Sequence, residues 1–218
     1  MVTDALSRAI EALGQGRMVL LLDGPDRENE GDLVVAAEFA TAEHINFMVT
    51  HGRGLVCMPM TGDRLDRLGL PPMVARRDLR APAFTVSVDA RYHIGSGISA
   101  ADRATTVRAL LDPVTTLDHL VSPGHLFPLR CAVGGVLARQ GHTEASVELA
   151  QLASCAPAAV ICEVLDQQGD PARPAELRRF ALRHGLPLVT VSQLVQRRQH
   201  EPWTAQAGRV VTPVARRQ

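Results

Sequence analysis

A short acidic segment, residues 23–32, holds the densest group of chemically useful side chains in the chain. It contains five carboxylates and one arginine, and it follows the apolar run of residues 18–22, which reads as a buried strand. Carboxylates this close repel one another unless a cation, a shared proton or solvent relieves them. A hard divalent cation such as magnesium prefers oxygen ligands. The segment therefore predicts either a metal-binding loop or a solvated acidic loop, and residues that follow strands often carry function.

A second segment, Arg139–Glu144, lies between a predicted strand and an apolar-periodic helix. A helix N-terminus offers free backbone N–H groups, Gly141 permits close approach of a ligand, and Arg139 supplies a planar donor fork. These features favour a phosphate site; the alternative is an ordinary capped turn with a surface arginine. His142 could also join carboxylates of residues 26–32 around a metal, and manganese tolerates nitrogen better than magnesium does. A single histidine at a helix start is otherwise more often structural.

Two further residues could move protons. His125 stands in the stiff segment of residues 122–128, between a Pro-Gly pair and another proline, and histidine titrates near neutrality. Glu163 lies in the otherwise apolar run of residues 159–165, where a carboxylate costs stability unless it is paired or belongs to a site. The alternatives are a histidine that satisfies local hydrogen bonds and a strand with one face in solvent. A weaker candidate is the glycine-led helix start of residues 97–103, which could donate N–H groups to an anion.

Composition argues against several functions. All 23 basic residues are arginine and they balance 23 acids, so no net basic field favours nucleic acid or a membrane surface. Aromatic residues make up 3% of the chain, which is too few for base-stacking platforms. Without lysine, the chain cannot form a Schiff base or a lysine-dependent phosphate loop. Carbonyl chemistry in this protein must therefore use a metal or hydrogen bonds as its electrophile.

The cysteines and the N-terminus predict the cellular compartment. The four cysteines lack the spacing of a metal site, and they are expected to be reduced, buried thiols. The N-terminus has the pattern of an amphipathic helix rather than of a signal peptide, and no apolar run approaches membrane-spanning length. These features predict a cytoplasmic protein without membrane or nucleic-acid partners.

Strands and helices alternate along the chain, as judged from apolar runs and from apolar residues at helical spacing. The predicted strands cover residues 18–22, 33–37, 55–60, 83–88, 136–138, 158–165 and 187–191. The predicted helices cover residues 4–13, 41–51, 61–68, 99–111, 141–153, 174–184 and 192–198. Residues 112–130 contain three prolines and are predicted to be irregular.

This alternation predicts one α/β domain of the α+β type, with a mixed, mostly buried β-sheet flanked by helices. The domain is expected to span residues 1–199. Residues 200–218 lack periodicity and carry three arginines near the end. They are predicted to form a disordered tail.

Four motifs, taken in order, resemble the 3,4-dihydroxy-2-butanone 4-phosphate synthases of riboflavin biosynthesis. They are residues 26–32 (DRENEGD), 97–103 (GISAADR), 122–130 (SPGHLFPLR) and 141–144 (GHTE), and the resemblance covers residues 3–199. It implies conversion of D-ribulose 5-phosphate to L-3,4-dihydroxybutan-2-one 4-phosphate and formate, with magnesium or manganese. In the family the reaction runs through an enediol, loss of water, a skeletal shift and expulsion of one carbon as formate. The resemblance also implies a homodimer with sites near the subunit interface.

The resemblance assigns roles to individual residues. Glu28 and His142 would bind the metal, while His125 and Glu163 would be the residues essential to catalysis. The residues that would hold the substrate are Arg27, Glu28, Asp32, Arg139, Gln140, Gly141, His142, Thr143 and Glu163. The phosphate group is the part of the substrate that best suits the stretch from Arg139 to Thr143.

Some positions depart from the family pattern. Gly24-Pro25 stands where many relatives have acidic residues, Gln140 replaces a common glycine, and the loop of residues 93–96 differs from the usual threonine-rich version. These departures leave two alternatives open: a paralogue acting on another sugar phosphate in a specialised pathway, and a non-catalytic sugar-phosphate binding protein. Some relatives carry a zinc-dependent GTP cyclohydrolase II domain after this one. That second activity is not expected here, because no cysteine follows Cys162.

Overall fold

The computed structural model describes residues 4–75, 78 and 81–200 of the 218-residue chain. Among these residues, seven strands form one sheet: β1 (Val19–Leu22), β2 (Gly31–Ala36), β3 (Cys57–Met60), β4 (Val88–Ala90), β5 (Leu120–Arg130), β6 (Ala159–Glu163) and β7 (Leu188–Thr190). The α-helices in the same ranges are α1 (Ala5–Gly14), α2 (Ala42–Phe47), α3 (Gly62–Arg67), α4 (Ala100–Leu111), α5 (His142–Leu152), α6 (Pro174–His184) and α7 (Val191–His200). The predicted tail, apart from His200, lies outside the described residues.

The sheet has the strand order β4-β5-β3-β6-β2-β1-β7 and is mixed. The pairs β3–β5 and β1–β7 are parallel, and the other neighbouring pairs are antiparallel. The predicted α/β fold with one mixed sheet is confirmed. Among the described helices, none is long and apolar enough to cross a membrane.

Helices cover both faces of the sheet, and alternate residues of each strand therefore enter two different cores. Leu20 of β1 and Leu33 of β2 pack with helices α2, α3, α4 and α6. Their neighbours Leu21 and Val34 pack on the opposite face with α1, α5 and α7. Burial on both faces explains why the central strands read as continuous apolar runs rather than as alternating patterns.

Local signals set several helix boundaries as predicted. Asp4 caps α1 by accepting a hydrogen bond from the Ser7 N–H at 2.8 Å. Ser99 caps α4 in the same way, with the Asp102 N–H as donor at 3.0 Å. Pro174 begins α6, where the missing N–H costs nothing.

The prediction that residues 112–130 are irregular is wrong from Leu120 onward, because those residues form the eleven-residue strand β5. Pro128 still takes part in the sheet through its carbonyl, which accepts the Thr85 N–H at 3.1 Å. Gly124 is required by packing, because a Cβ there would lie 2.0 Å from the backbone carbon of Val88 in β4. A pattern rich in proline and glycine thus conceals a strand close to the edge of the sheet.

Four other predictions differ from the structure. The predicted strand at 136–138 is a 3₁₀ turn, Gly135–Leu137, and the predicted strand at 83–88 forms only isolated bridges at Phe84 and Thr85 before β4 begins at Val88. The predicted helix at 41–51 divides into α2 and a π-helical turn, Met48–Gly52. Thr190, rather than the predicted Ser192, accepts the Gln193 N–H at the start of α7.

Candidate active site

Most of the predicted site residues lie at one end of the central strands of the sheet. Strand β1 ends there and β2 begins there, and the acidic loop of residues 23–30 connects the two strands. Asp32 of β2 lies directly opposite Glu163 at the end of β6. Val34 and Ile161, two residues further into each strand, belong to the core beneath α5. Strand alternation therefore places Asp32 and Glu163 together on the α5 face.

Asp23 folds the acidic loop back on itself. Its two carboxylate oxygens accept the N–H groups of Glu28 at 3.0 Å and Glu30 at 2.8 Å. Asn29 adopts the left-handed conformation at φ 57°, which asparagine tolerates better than most residues. Asp23 had no predicted role, although it is the first residue after the strand. The structure gives it the role of organising the loop.

Asp23, Glu28 and His142 form a group whose ligand atoms all lie within 4.8 Å of one another. Asp23 and His142 are buried, whereas 45% of the Glu28 side chain is exposed. His142 Nε2 is buried and has no hydrogen-bond partner among the described residues. Two carboxylates and one imidazole form a donor set that suits a divalent cation. The two predicted metal ligands, Glu28 and His142, are thus brought together, with Asp23 as a third candidate.

Asp32 is a buried carboxyl group beside the group of Asp23, Glu28 and His142. Burial raises the pKa of Asp32 to about 7, and the charges of Glu163, Glu30 and Glu28 add to the effect, while His142 opposes it. The pKa of Glu30 is also raised, first by burial and then by Glu28. A carboxyl that titrates near neutrality can accept and return a proton at physiological pH.

Glu163 is held by a glycine turn that sequence reasoning did not single out. The Leu55 N–H donates to Glu163 Oε2 at 2.7 Å. A Cβ on Gly54 would lie 2.5 Å from that same oxygen and 2.7 Å from the Glu163 Cβ. Only glycine therefore fits at residue 54 without displacing the carboxylate. The turn follows the π-helical segment and begins with Arg53 in the left-handed conformation, at φ 74°.

The second predicted substrate segment lies at the N-terminus of α5. Gly141 occupies the cap position and provides no side-chain hydrogen bond to the first turn. Thr143 and Arg139 are buried, whereas Gln140 is exposed. Arg139 Nη1 donates to Glu144 Oε2 at 2.6 Å, and a Cβ on Gly141 would lie 2.3 Å from that nitrogen. The arginine is therefore a packed part of the helix start rather than the surface residue of the alternative interpretation.

Arg27 carries donors that lack hydrogen-bond acceptors. Its Nε and Nη2 atoms are buried and have no hydrogen-bond partner among the described residues. Nη2 lies 3.7 Å from Glu28 Oε1, which is an ion pair at long range. Unsatisfied guanidinium donors beside the group of Asp23, Glu28 and His142 suit an anionic or hydroxylated ligand.

His125 is placed apart from this group. It precedes the part of β5 that pairs with β3, and β3 in turn pairs with β6. Two strand spacings separate it from Glu163, on the order of 10 Å. Its ring contacts Asp89 instead, with 2.7 Å between Nδ1 and Oδ2. Within one chain, the two predicted catalytic residues therefore do not touch.

The buried thiols near the cluster are poor nucleophiles. Burial raises the pKa of Cys57 and of Cys162, the latter to about 12, and the charge of Glu163 raises both further. All four cysteines of the chain are free. Because a thiol needs its thiolate form to react, these groups serve packing rather than covalent catalysis.

Comparison with known proteins identifies the family. The family model of 3,4-dihydroxy-2-butanone 4-phosphate synthase matches residues 7–197. The chain is 49% identical over 216 residues to riboflavin biosynthesis protein RibBA of Nocardia farcinica, covering 97% of this chain and 52% of that protein. It is 50% identical over 202 residues to RibBA of Mycobacterium bovis, covering 91% of this chain and 48% of that protein. The chain thus spans about half the length of these curated relatives.

Solved structures agree with this relationship. A 3,4-dihydroxy-2-butanone 4-phosphate synthase crystallised in complex with two magnesium ions superposes with a TM-score of 0.82 at 44% identity, covering 91% of this chain and 98% of that chain. The two-domain synthase RibBX of A. baumannii gives a TM-score of 0.85 at 44% identity, covering 88% of this chain and 57% of that chain. The protein therefore belongs to the 3,4-dihydroxy-2-butanone 4-phosphate synthase family.

Proposed function

We propose that this protein converts D-ribulose 5-phosphate to L-3,4-dihydroxybutan-2-one 4-phosphate and formate, and so supplies the four-carbon unit for riboflavin. The observation that carries the proposal is the group of Asp23, Glu28 and His142, set beside the opposed carboxyls of Asp32 and Glu163 in a member of this family. The substrate contains all the atoms of the two products, so the conversion needs neither an oxidant nor net water.

Magnesium, or manganese, is the cofactor that these residues fit. Asp23, Glu28 and His142 would hold the cation, and the buried His142 Nε2 has no hydrogen-bond partner among the described residues. When bound, such a cation stabilises negative charge on neighbouring carbonyl and hydroxyl oxygens of a sugar. A chain without lysine has no amine to perform that task. The related structure with two magnesium ions supports this choice of metal.

The two opposed carboxyls are proposed to handle protons and hydroxyl groups of the substrate. Asp32, whose pKa burial raises to about 7, can take a proton from a carbon or oxygen of the sugar and return it in a later step. Glu163 is held by the Leu55 N–H at Oε2, which leaves Oε1 for a substrate hydroxyl. Their side chains lie on the same face of neighbouring strands, so both can contact one small ligand.

The phosphate group is proposed to lie between Arg27 and the start of α5. In the described part of the chain, the buried donors of Arg27 have no acceptors and the first N–H groups of α5 have no side-chain cap. Gln140, Gly141 and Thr143 line the same helix start. A helix N-terminus with a nearby guanidinium is a suitable environment for a phosphate dianion.

A homodimer is proposed to complete the site. His125 lies two strands from Glu163 within one chain, and 42% of its side chain is exposed. Family members are expected to form dimers with sites near the subunit interface, and a second copy could bring its own His125 to the cluster. The cytoplasmic location stays a prediction that cell fractionation can test.

The direct test is release of formate from D-ribulose 5-phosphate, measured with magnesium and with EDTA. We expect metal-dependent formate, and no formate from ribose 5-phosphate or xylulose 5-phosphate. Glu28→Gln should abolish turnover without loss of fold, while Glu11→Gln, an exposed change of the same kind on α1, should leave it intact.

The two alternatives predict different results in the same assay. A paralogue would leave ribulose 5-phosphate unchanged and consume another sugar phosphate. A non-catalytic binding protein would bind ribulose 5-phosphate tightly in calorimetry at saturating magnesium and release no formate. Near-normal formate release by Glu28→Gln would contradict the assignment of the metal site.

A further inference from the structure

His125 and Asp89 form a close carboxylate–imidazole pair outside the group of Asp23, Glu28 and His142. Both oxygens of the Asp89 carboxylate are used. Oδ1 accepts the backbone N–H of His125 at 2.9 Å, and Oδ2 lies 2.7 Å from the ring nitrogen Nδ1. Asp89 is buried, with 6% of its surface exposed, whereas the histidine ring is about half-exposed. A carboxylate that binds both the backbone and the ring of one histidine fixes that ring in position.

Two glycines make room for this pair. A Cβ on Gly97, which has a φ of 91°, would lie 2.1 Å from Asp89 Oδ2 and 2.7 Å from His125 Nδ1. A Cβ on Gly124 would lie 2.3 Å from the backbone nitrogen of Asp89. The Gly97 loop is itself held by Asp102, whose carboxylate accepts the Gly97 N–H at 3.0 Å. The surroundings therefore restrict the pair to one arrangement.

A positive charge lies close to the pair. Arg103 of α4 is buried, and burial lowers its pKa, while the Asp89 carboxylate opposes that shift. A neighbouring guanidinium stabilises the charged form of a carboxylic acid. An ionised carboxylate at Nδ1 can only accept a hydrogen bond, so the ring proton must stay on Nδ1.

We propose that Asp89 is a positioning residue for catalysis, which holds the His125 proton on Nδ1 and thereby leaves Nε2 as the basic nitrogen that faces the substrate. The proposal rests on the proposed function for its kinetic part, because that function makes His125 a catalytic residue. Its structural part, the tautomer of His125, stands independently of any activity.

The test combines a spectrum with kinetics. Two-dimensional ¹H–¹⁵N spectra of the histidine rings are recorded at pH 9, so that neutral rings dominate, and His125 is assigned by the signal that disappears in His125→Gln. We expect the Nδ1–H tautomer for His125 in the unaltered protein and the Nε2–H tautomer in Asp89→Asn, because an amide nitrogen would face Nδ1 as a donor. The kcat for formate release should fall roughly 10²- to 10⁴-fold in this variant, with KM changed less than about threefold.

Asp118→Asn is the matched control, since Asp118 is exposed just before β5 and its side chain takes no part in the pair. It should keep both the His125 tautomer and kcat. An Nε2–H tautomer in the unaltered protein overturns the proposal, even if Asp89→Asn does not fold. An Asp89→Asn variant with an unchanged tautomer or an unchanged kcat also overturns it. If the unaltered protein releases no formate, the proposed function fails, while the spectra still decide the role of Asp89.

Discussion

His142 begins α5 as a buried residue whose Nε2 has no hydrogen-bond partner among the described residues. Leaving a buried polar group unpaired costs about 1–3 kcal/mol, so such groups are rare outside functional sites. Asp23 and Glu28 present carboxylate oxygens to the same small volume. At the scale of single residues, the metal proposal therefore rests on the unpaired His142 Nε2 as much as on the nearby carboxylates of Asp23 and Glu28.

Replacing His142 should separate metal binding from folding. In His142→Leu we expect the stabilisation by manganese to vanish, while the metal-free protein loses no unfolding free energy and gains up to about 1–3 kcal/mol, because the lost nitrogen makes no described hydrogen bond. In the unaltered protein, manganese at about 100 times its dissociation constant should add about 2.7 kcal/mol, which corresponds to roughly 5–10 °C in Tm. Thermal unfolding with manganese or EDTA measures both quantities. His200→Ala, an exposed change, should retain the full shift; a metal shift that persists in His142→Leu would contradict the ligand assignment.

Asp32 should make the metal-free protein sensitive to pH. Its pKa is about 7 in the folded state against a reference value of 3.8, so folding strengthens proton binding. Stability is therefore lost as pH rises from about 4 to about 7, since the unfolded carboxyl ionises first. In EDTA, Asp32→Asn should gain on the order of 2–4 kcal/mol over the unaltered protein at pH 8 and little at pH 4. Urea unfolding at the two pH values tests this, and a gain that is equal at both would contradict it.

At the scale of elements, the site depends on turns that hold side chains against the ends of strands. The segment after the π-helical turn brings Gly54 and Leu55 onto Glu163 of β6. This close approach has two effects. The Leu55 N–H donates to Glu163 Oε2, and residue 54 has no space for a side chain. Residue 54 therefore determines the position of a carboxylate in a different strand.

Gly54→Ala should damage activity more than stability. The new Cβ would overlap Glu163 Oε2 and would lie 2.7 Å from both the Cβ and the backbone oxygen of Glu163, so the whole residue must shift. The carboxylate is expected to leave its position and kcat to fall roughly 10- to 100-fold. The loss of unfolding free energy should be about 1–3 kcal/mol, as is typical of overpacking. Formate release and urea unfolding measure the two effects. Gly24→Ala is the matched control because no atom lies within 4 Å of its Cβ position; an active Gly54→Ala protein would show that Glu163 is not held in this way.

Sequence patterns located most elements and most residues of the candidate site, but they failed where contacts are distant in the chain. Strand β5 was missed because Pro123, Gly124 and Pro128 oppose strand formation locally, and only packing against β4 explains them. The role of Asp23 depends on a loop that folds back, and that of Asp89 on a bond to a residue 36 positions away. The spacing of residues along the chain does not predict such contacts, because they form only when the strands pair in the sheet.

At the scale of the whole molecule, one sheet separates two cores and leaves the site at a single edge. Asp32, Glu163 and the acidic loop meet at that edge, while His125 lies further along it in β5. A single chain therefore spreads its candidate groups over about two strand spacings. This arrangement is the physical reason to expect that two chains cooperate.

Complementation between inactive variants can test a shared site. His125→Ala and Glu28→Gln should each be inactive alone. If each site takes His125 from one chain and Glu28 from the other, mixed dimers contain one intact site, and co-expression should restore roughly a quarter of the normal activity. Formate release by the co-purified mixture is the measurement. Continued inactivity of mixtures shown by mass spectrometry to contain mixed dimers would contradict a shared site.

The pairing of Asp32 with Glu163 also determines which changes of chain length the protein can survive. Because side chains alternate along β2 and β6, deleting one residue inside either strand would turn its carboxylate away from α5 and exchange the residues that fill the two cores. The turn of residues 166–170, which follows β6, is exposed for most of its length and faces no such requirement. Insertions and deletions among natural variants or in a length-scanning library should therefore accumulate in that turn and be purged from Gly31–Ala36 and Ala159–Glu163.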